Sequence, residues 1–244
     1  QVILLLGCAC SAAMAAIFKA PVAAIVFAIE VIMLDLTLSA IVPLLIASVV
    51  AVLTSYFFMG QNVLYGVDIV EKFHISQVPF YLLLGVLTGF ISIYFFKVYN
   101  FITGIFDNIK SKVSRILIGG ISLGFLIFLM PSLFGEGFET INQTLIGDFS
   151  HLFDGTLFER YSTNVVAIVI VFIGLILLKV VATSLTFGSG GVGGIFAPSL
   201  FLGSHAGLFF VYIFGLIGIQ LNATSYASVA MAGLIAGVIH APLT

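Results

Sequence analysis

Long apolar segments follow one another along this chain with little polar sequence between them. They occupy about residues 2–18, 21–34, 39–59, 79–106, 115–134, 164–187, 195–217 and 226–239. Apolar residues make up 61% of the chain and charged residues only 7%, whereas soluble domains carry about 25% charged residues. The segments are continuously apolar rather than alternating, which predicts membrane helices and not a β-barrel. The sequence therefore predicts an all-α membrane protein.

The segments differ in length, and several are too short to cross a hydrocarbon core of ~30 Å at about 1.5 Å per residue. Short segments in a membrane bundle are typical of half-helices that end at a site near the membrane midplane. We expect a single transmembrane domain over residues 1–244. The apolar sequence at both ends also predicts that these residues are part of a longer protein.

Charged residues concentrate in two connections of opposite character. Residues 97–115 carry four basic residues and one acid, so the positive-inside rule places them in the cytoplasm. Residues 135–161 carry five acids and one arginine, which predicts the outer side. The loop 60–79 lies one crossing before the basic connection, and it is also predicted to be outside.

Other polar residues give little indication of chemistry. The net charge of −2 does not indicate a nucleic-acid partner, and Cys8 and Cys10 lack the spacing of metal ligands. No grouping of nucleophile and base predicts an enzyme, and no metal or organic cofactor is expected. Lys179 could extend to the membrane surface or pair with an acid, and we expect the first. His151 is expected in a loop, and His205 is given no function.

Two short segments at opposite ends of the chain are similar. AAIFKAPVA (15–23) and AGVIHAPLT (236–244) share an alanine at the first position and the Ala-Pro pair. Lys19 and His240 precede that pair at matching positions. Duplicated halves are common in transporters, so we expect two repeats, with about 1–59 ending the first and about 79–244 forming most of the second.

The segment FGSGGVGGIFAPSLFLG (187–203) places five glycines among the seven residues 188–194, directly before an apolar segment. The first N–H groups of a helix lack partners and carry partial positive charge, so such a loop can bind an anion. A nucleotide-binding loop is excluded because no Gly-Lys-Ser/Thr follows. The alternative is that these glycines only permit close packing of helices, and the residues alone leave both interpretations open.

Three motifs together resemble the CLC chloride channels and transporters. GSGGVGGIFAPSLFLGSHAG (188–207) resembles the family's anion-binding segment, and FKAPVAAIVFAIEV (18–31) and FGEGFETI (134–141) resemble two others. Phe138 stands where the family usually has tyrosine, and the terminal HAPLT resembles the second-half counterpart of residues 18–22. The resemblance implies an inverted-repeat helical bundle in the bilayer, with half-helices meeting at a midplane anion site. It also implies a homodimer with the helices 21–34 and 39–59 at the subunit contact.

The resemblance assigns the central anion site to backbone N–H groups. Those of Ile195 and Phe196 would bind chloride, which is the transported ligand. The residues that would shape this loop are Gly190, Gly193, Gly194 and Pro198.

One position differs from the family's proton-coupled exchangers, which usually carry a second glutamate after Glu30. Here that position is Val31, and valine cannot bind a proton. We therefore expect channel-like or uncoupled anion transport in a prokaryotic inner membrane, with Glu30 in a structural role. A proton-coupled antiporter that uses another proton route and a non-conducting structural membrane fragment stay open as alternatives.

Overall fold

The computed structural model describes residues 2–32, 38–60, 64–66, 74–156 and 159–244. Within those residues it contains nine α-helices and no β-strand, which confirms the all-α prediction. The helices are α1 (Val2–Phe18), α2 (Pro21–Val31), α3 (Leu38–Met59), α4 (Val78–Asp107), α5 (Lys112–Leu129), α6 (Phe138–Leu145), α7 (Val165–Gly188), α8 (Phe196–Leu216) and α9 (Ala223–Leu234).

Among the described residues, five helical segments are long and apolar enough to cross a membrane. They are Ala40–Met59, Ile75–Asp107, Lys112–Leu129, Val165–Gly188 and Phe196–Leu216. Helices α1, α2 and α9 are apolar but shorter, with 17, 11 and 12 residues. At about 1.5 Å per residue each is shorter than a ~30 Å hydrocarbon core, as predicted for a bundle with incomplete crossings.

The helices differ from the predicted segments and connections at α5, at α6 and at Lys97. Helix α5 begins at Lys112 rather than at 115, because the Ser111 hydroxyl accepts the N–H of Ser114 at 3.3 Å and caps it. It ends before Pro131. Helix α6 was not among the predicted segments, since its eight residues include several polar ones. Lys97 lies inside α4 and not in a connection.

The described chain forms two compact units, and the first contains α1, α2, α3 and residues 239–244. Lys19 and His240 are the two non-glycine residues of the described chain with positive φ, at 55° and 62°. They stand at matching positions of the two similar segments, so both segments bend in the same way before Ala-Pro. The Lys19 ammonium donates to the carbonyl oxygen of Gly60 and lies 4.9 Å from the centroid of the Tyr56 ring.

The second unit contains α4 to α9, and α8 is its most buried helix. Helix α8 packs so closely against α9 that glycines of α8 lie against the α9 backbone. A Cβ built on Gly203 would lie 2.4 Å from the Cα of Met231, and one on Gly207 would lie 2.4 Å from the Cα of Ala227. Glycines four residues apart share one helix face and let membrane helices approach closely. This contact fixes α8, whose first turn follows the glycine loop.

Candidate anion site

The glycine loop begins where α7 ends, and hydrogen bonds to the last turn of α7 determine its path. The N–H of Gly190 donates to the carbonyl of Phe187 at 3.0 Å, and the N–H of Gly191 donates to that of Thr186 at 2.9 Å. Gly190 has a φ of 93°, a conformation that residues with a side chain rarely adopt. A glycine is therefore required at 190 for the chain to leave the helix in this way.

The other loop glycines have different surroundings. A Cβ on Gly188 would lie 2.8 Å from the Phe106 ring, and one on Gly191 would lie 2.8 Å from the carbonyl oxygen of Thr186. Among the described residues, a Cβ on Gly193 would meet its nearest atom only at 3.8 Å, and one on Gly194 would meet nothing within 4 Å. Close packing explains Gly188 and Gly191, but it does not explain Gly193 and Gly194.

The loop leads directly into α8, whose first turn is half-buried and uncapped. Ile195 is the N-cap residue, and its own side chain makes no capping hydrogen bond. The Ser199 hydroxyl donates to the Ile195 carbonyl oxygen at 2.7 Å. The first turn contains no acidic residue. The N–H of Ser199 makes the first bond to the carbonyl of Ile195, at 3.0 Å. Pro198 stands within the first turn, where a missing N–H costs the helix no bond.

The arrangement brings Gly190, Gly193 and Gly194 of an exposed loop next to Ile195 and Phe196 of a half-buried helix start. The helix dipole places about half a positive charge at such an N-terminus, directed at the backbone of the loop. A small anion can be held there by neutral N–H donors, without a fixed cationic side chain. The geometry is therefore suited to weak, reversible anion binding.

Arg115 anchors the start of this loop, which the sequence did not indicate. Its Nε and Nη2 donate to the carbonyl oxygen of Gly188 at 3.2 and 2.9 Å. One turn further along α5, a Cβ on Gly119 would lie 2.3 Å from the Cβ of Ser189. Arg115 also lies 3.6 Å from Asp107, whose side chain is 75% exposed, so that ion pair contributes little. From the sequence alone, Arg115 indicates only the orientation of the chain in the membrane.

Glu30 and Val31 lie in the first unit, at the end of α2. The Glu30 carboxylate accepts the N–H of Leu243 at 2.9 Å, and the N–H and hydroxyl of Thr244 at 3.0 and 2.7 Å. Both of its oxygens therefore bind the backbone that follows Pro242. The sequence near Glu30 did not reveal these partners. Val31 is 42% exposed and has no proton-binding group.

The prediction that Lys179 extends to the membrane surface is wrong. Its side chain is 2% exposed, and its ammonium donates to the carbonyl oxygens of Leu133 and Gly135 at 3.1 and 2.9 Å. The ammonium also lies 4.4 Å from the centroid of the Phe201 ring. These partners satisfy the charge inside the protein, so the side chain does not have to reach water.

Two histidines are buried in the same unit. His205 is completely buried and stacks on the Phe201 ring with centroids 4.0 Å apart. His151 does not lie in an exposed loop. It belongs to a short 3₁₀-helix, Ser150–Phe153, and is 5% exposed. Burial lowers the pKa of His151, and Asp148 and Asp154 oppose that shift.

Comparisons with known proteins match this chain over nearly its whole length. The model of the voltage gated chloride channel family matches residues 2–244. A putative chloride channel protein, ClcB-like, from Ralstonia nicotianae is 30% identical over 98% of this chain and 52% of its own length. The voltage-gated ClC-type chloride channel ClcB of Citrobacter koseri is 27% identical over 98% of this chain and 54% of its own length.

One solved structure extends the comparison to the fold. The crystal structure of a CLC-type fluoride/proton antiporter matches with a TM-score of 0.71 and 23% sequence identity. The match covers 96% of this chain and 54% of that chain, so the two share a fold. The chain spans about half the length of the curated relatives it matches.

Proposed function

Since this chain belongs to the voltage gated chloride channel family over residues 2–244, we propose that the protein carries chloride or a similar anion across a prokaryotic inner membrane. The backbone N–H groups of Ile195 and Phe196 bind the anion. The loop around Gly190, Gly193 and Gly194 gives it access to them. As an integral multi-pass membrane protein, it moves the anion without chemical conversion and without a cofactor.

This proposal is based on the surroundings of Gly193 and Gly194. Among the described residues, a Cβ on Gly194 would meet nothing within 4 Å, and one on Gly193 would meet only the Phe187 ring, at 3.8 Å. If the glycines served only helix packing, each would face a neighbouring helix, as Gly188 faces Phe106. Instead the pair precedes a helix start whose N-cap residue, Ile195, has no side chain that can cap it. Buried in a membrane, such a helix start needs a partner, and an anion meets that need.

Transport in this proposal is channel-like or uncoupled, because Val31 cannot carry a proton. Glu30 does not replace it, since its two oxygens are engaged by the N–H groups of Leu243 and Thr244. The protein works as a homodimer in the bilayer, with α2 and α3 at the subunit contact. In support, α3 carries an exposed apolar face that includes Val42, Ile46, Val49 and Leu53. Crosslinking of single cysteines on this face in vesicles tests the dimer.

A second candidate is a proton-coupled antiporter with another proton route. It is favoured by the structural likeness to a protein whose title describes fluoride/proton antiport. One experiment separates the two candidates. The full-length protein is reconstituted into liposomes loaded with chloride or with fluoride, and anion efflux and external pH are recorded together, with and without a proton ionophore.

Anion efflux without proton movement supports the channel-like proposal. Proton uptake in a fixed ratio to anion release contradicts it and supports the antiporter. The variant Val31→Glu restores a proton-binding side chain, so coupling that appears only in this variant would identify Val31 as the cause of uncoupling. No flux of either anion would favour the packing interpretation of the glycines.

A further inference from the structure

A second polar cluster lies in the α4–α9 unit and has no part in the proposed anion site. His205 stands on α8, where its Nδ1 lies 2.7 Å from the carbonyl oxygen of Phe201. A carbonyl oxygen can only accept, so Nδ1 carries the hydrogen and Nε2 keeps its lone pair. This Nε2 is fully buried and has no hydrogen-bond partner among the described residues. A buried acceptor without a partner is destabilising, which indicates that a donor belongs there.

His151 is the candidate for a donor directed at His205 Nε2. Both of its ring nitrogens are buried, and in the described part of the chain neither has a hydrogen-bond partner of good geometry; the backbone of Asp148 acts on the ring. Its ring centroid lies 6.0 Å from that of His205, at an interplanar angle of 72°. An imidazole nitrogen lies about 1 Å from its centroid, so a direct N–H···N bond of about 3 Å would bring the centroids to about 5 Å. The observed spacing is larger and fits one bridging water molecule.

One basic residue and three acids act on the two histidines or on their neighbour Lys179. From α7, the Lys179 ammonium shares the Phe201 ring with His205. Asp148 and Asp154, in the acid-rich connection 135–161, act on His151. Glu136 acts on Lys179. The acids therefore favour a proton at His151, and Lys179 opposes a further positive charge near His205.

We propose that His151 and His205 form a buried binding site for a water molecule and, through it, for a proton that enters from the acidic connection. In the neutral state, a His151 N–H donates to the water, and the water donates to His205 Nε2. A proton from solution adds to the free nitrogen of His151. The His151 N–H is then shared through the water with Nε2, and most of the added charge stays at His151, beside the acids. Only N–H and O–H bonds form and break, and the pair gains one positive charge.

Protonation has a structural consequence through Lys179. The added charge repels the ammonium, which holds the carbonyl oxygens of Leu133 and Gly135. The next glycine of that segment lies against the same aromatic ring, since a Cβ on Gly137 would lie 2.6 Å from Phe201. Proton uptake therefore loosens residues 133–137, and the acidity outside the membrane acts on this segment.

The test observes the histidines directly, so it does not depend on the proposed transport. The full-length protein is labelled with ¹⁵N-histidine, and its imidazole nitrogens are followed by NMR from about pH 8 to about pH 4. At the upper end we expect the Nδ1–H tautomer for His205. On acidification we expect His151 and His205 to titrate as a coupled pair, each moving the other's midpoint by about one pH unit or more.

The variants are His151→Gln, His205→Gln and, as the control, the exposed His74→Gln. His151→Gln should remove its own titration and move that of His205, whereas His74→Gln should leave both unchanged. An Nε2–H tautomer for His205 in the unmodified protein overturns the proposal even if a variant fails to fold. A His205 titration that does not respond to His151→Gln also overturns it, as does a pair that stays neutral until the protein unfolds.

Discussion

The backbone contact between α8 and α9 predicts a large difference between two glycine substitutions in the same helix. Gly203→Ala places a methyl group 2.4 Å from the Cα and 2.7 Å from the N of Met231. Ordinary carbon contacts begin at about 3.5 Å, so the two helices must separate locally by about 1 Å. The obstacle is backbone, and it cannot move aside by a change of rotamer.

The magnitude follows from two opposing terms. Overpacking a well-packed contact costs about 1–3 kcal/mol, and a backbone obstacle places Gly203→Ala near the upper value. Alanine is a better helix former than glycine by about 1 kcal/mol, which offsets part of that cost. We expect a net loss of about 2 kcal/mol in the free energy of unfolding, or roughly thirtyfold in the unfolding equilibrium.

The assay is reversible unfolding of the full-length protein in mixed micelles, followed by circular dichroism. Gly215→Ala is the matched control, because it lies on α8 and a Cβ there would meet nothing within 4 Å among the described residues. It should be neutral or stabilise by up to about 1 kcal/mol. Equal stability of the two variants would refute the backbone contact and the account of what fixes α8.

Three further predictions concern the loop and the histidine pair. Phe196→Pro removes an N–H assigned to the anion, so the rise of the melting temperature with chloride concentration should disappear, whereas Ala197→Pro, which removes the next N–H, should retain it. Arg115→Gln removes the charged donors to the carbonyl of Gly188. Because the Arg115 side chain is 29% exposed, we expect the free energy of unfolding to fall by only about 1–2 kcal/mol. An unchanged unfolding midpoint would contradict the role of Arg115 in holding the loop. Burial lowers the pKa of His151 below 6.5. The stability that the neutral form contributes is therefore fully present above about pH 6.5 and is lost as the pH falls. In melting curves recorded over a pH series, His151→Gln should flatten this decline.

Much of the fold could be predicted because apolar segments of this length have few alternatives to helix in a membrane. Their limits matched the helices where a proline or an N-cap residue marks the start, as at Pro21 and at Asn164, whose side chain accepts the N–H of Val166. Helix α6 was missed because eight residues with polar side chains carry no strong apolar signal.

The candidate site was predicted only in part, because contacts between distant residues leave no local pattern. The glycine loop was identified, but the separate surroundings of Gly188 and Gly194 depend on where α4 lies. Lys179 was misinterpreted because its carbonyl partners, 44 and 46 residues away, carry no side-chain signature. The histidine pair was missed for the same reason, since 54 residues separate His151 from His205.

A substitution of Glu30 can distinguish a structural role of this residue from a role as a proton relay. The three hydrogen-bond partners of Glu30 among the described residues are all donors, namely two N–H groups and the Thr244 hydroxyl. A carboxylate accepts at both oxygens. In Glu30→Gln one oxygen becomes an NH₂ group that faces a donor, so the substitution leaves a donor without a partner. We expect a loss of about 1–3 kcal/mol in the free energy of unfolding. The exposed Glu139→Gln is the control and should cost little.

The two roles give opposite results for this variant. If Glu30 binds the backbone after Pro242, the variant loses stability, and the ratio of protons to anions moved in liposomes stays as in the unmodified protein. If Glu30 relays protons, that ratio falls while the unfolding midpoint is retained, because glutamine is nearly the same size. A stable Glu30→Gln variant with altered proton movement would therefore contradict both the structural role and the reasoning that Val31 uncouples the protein.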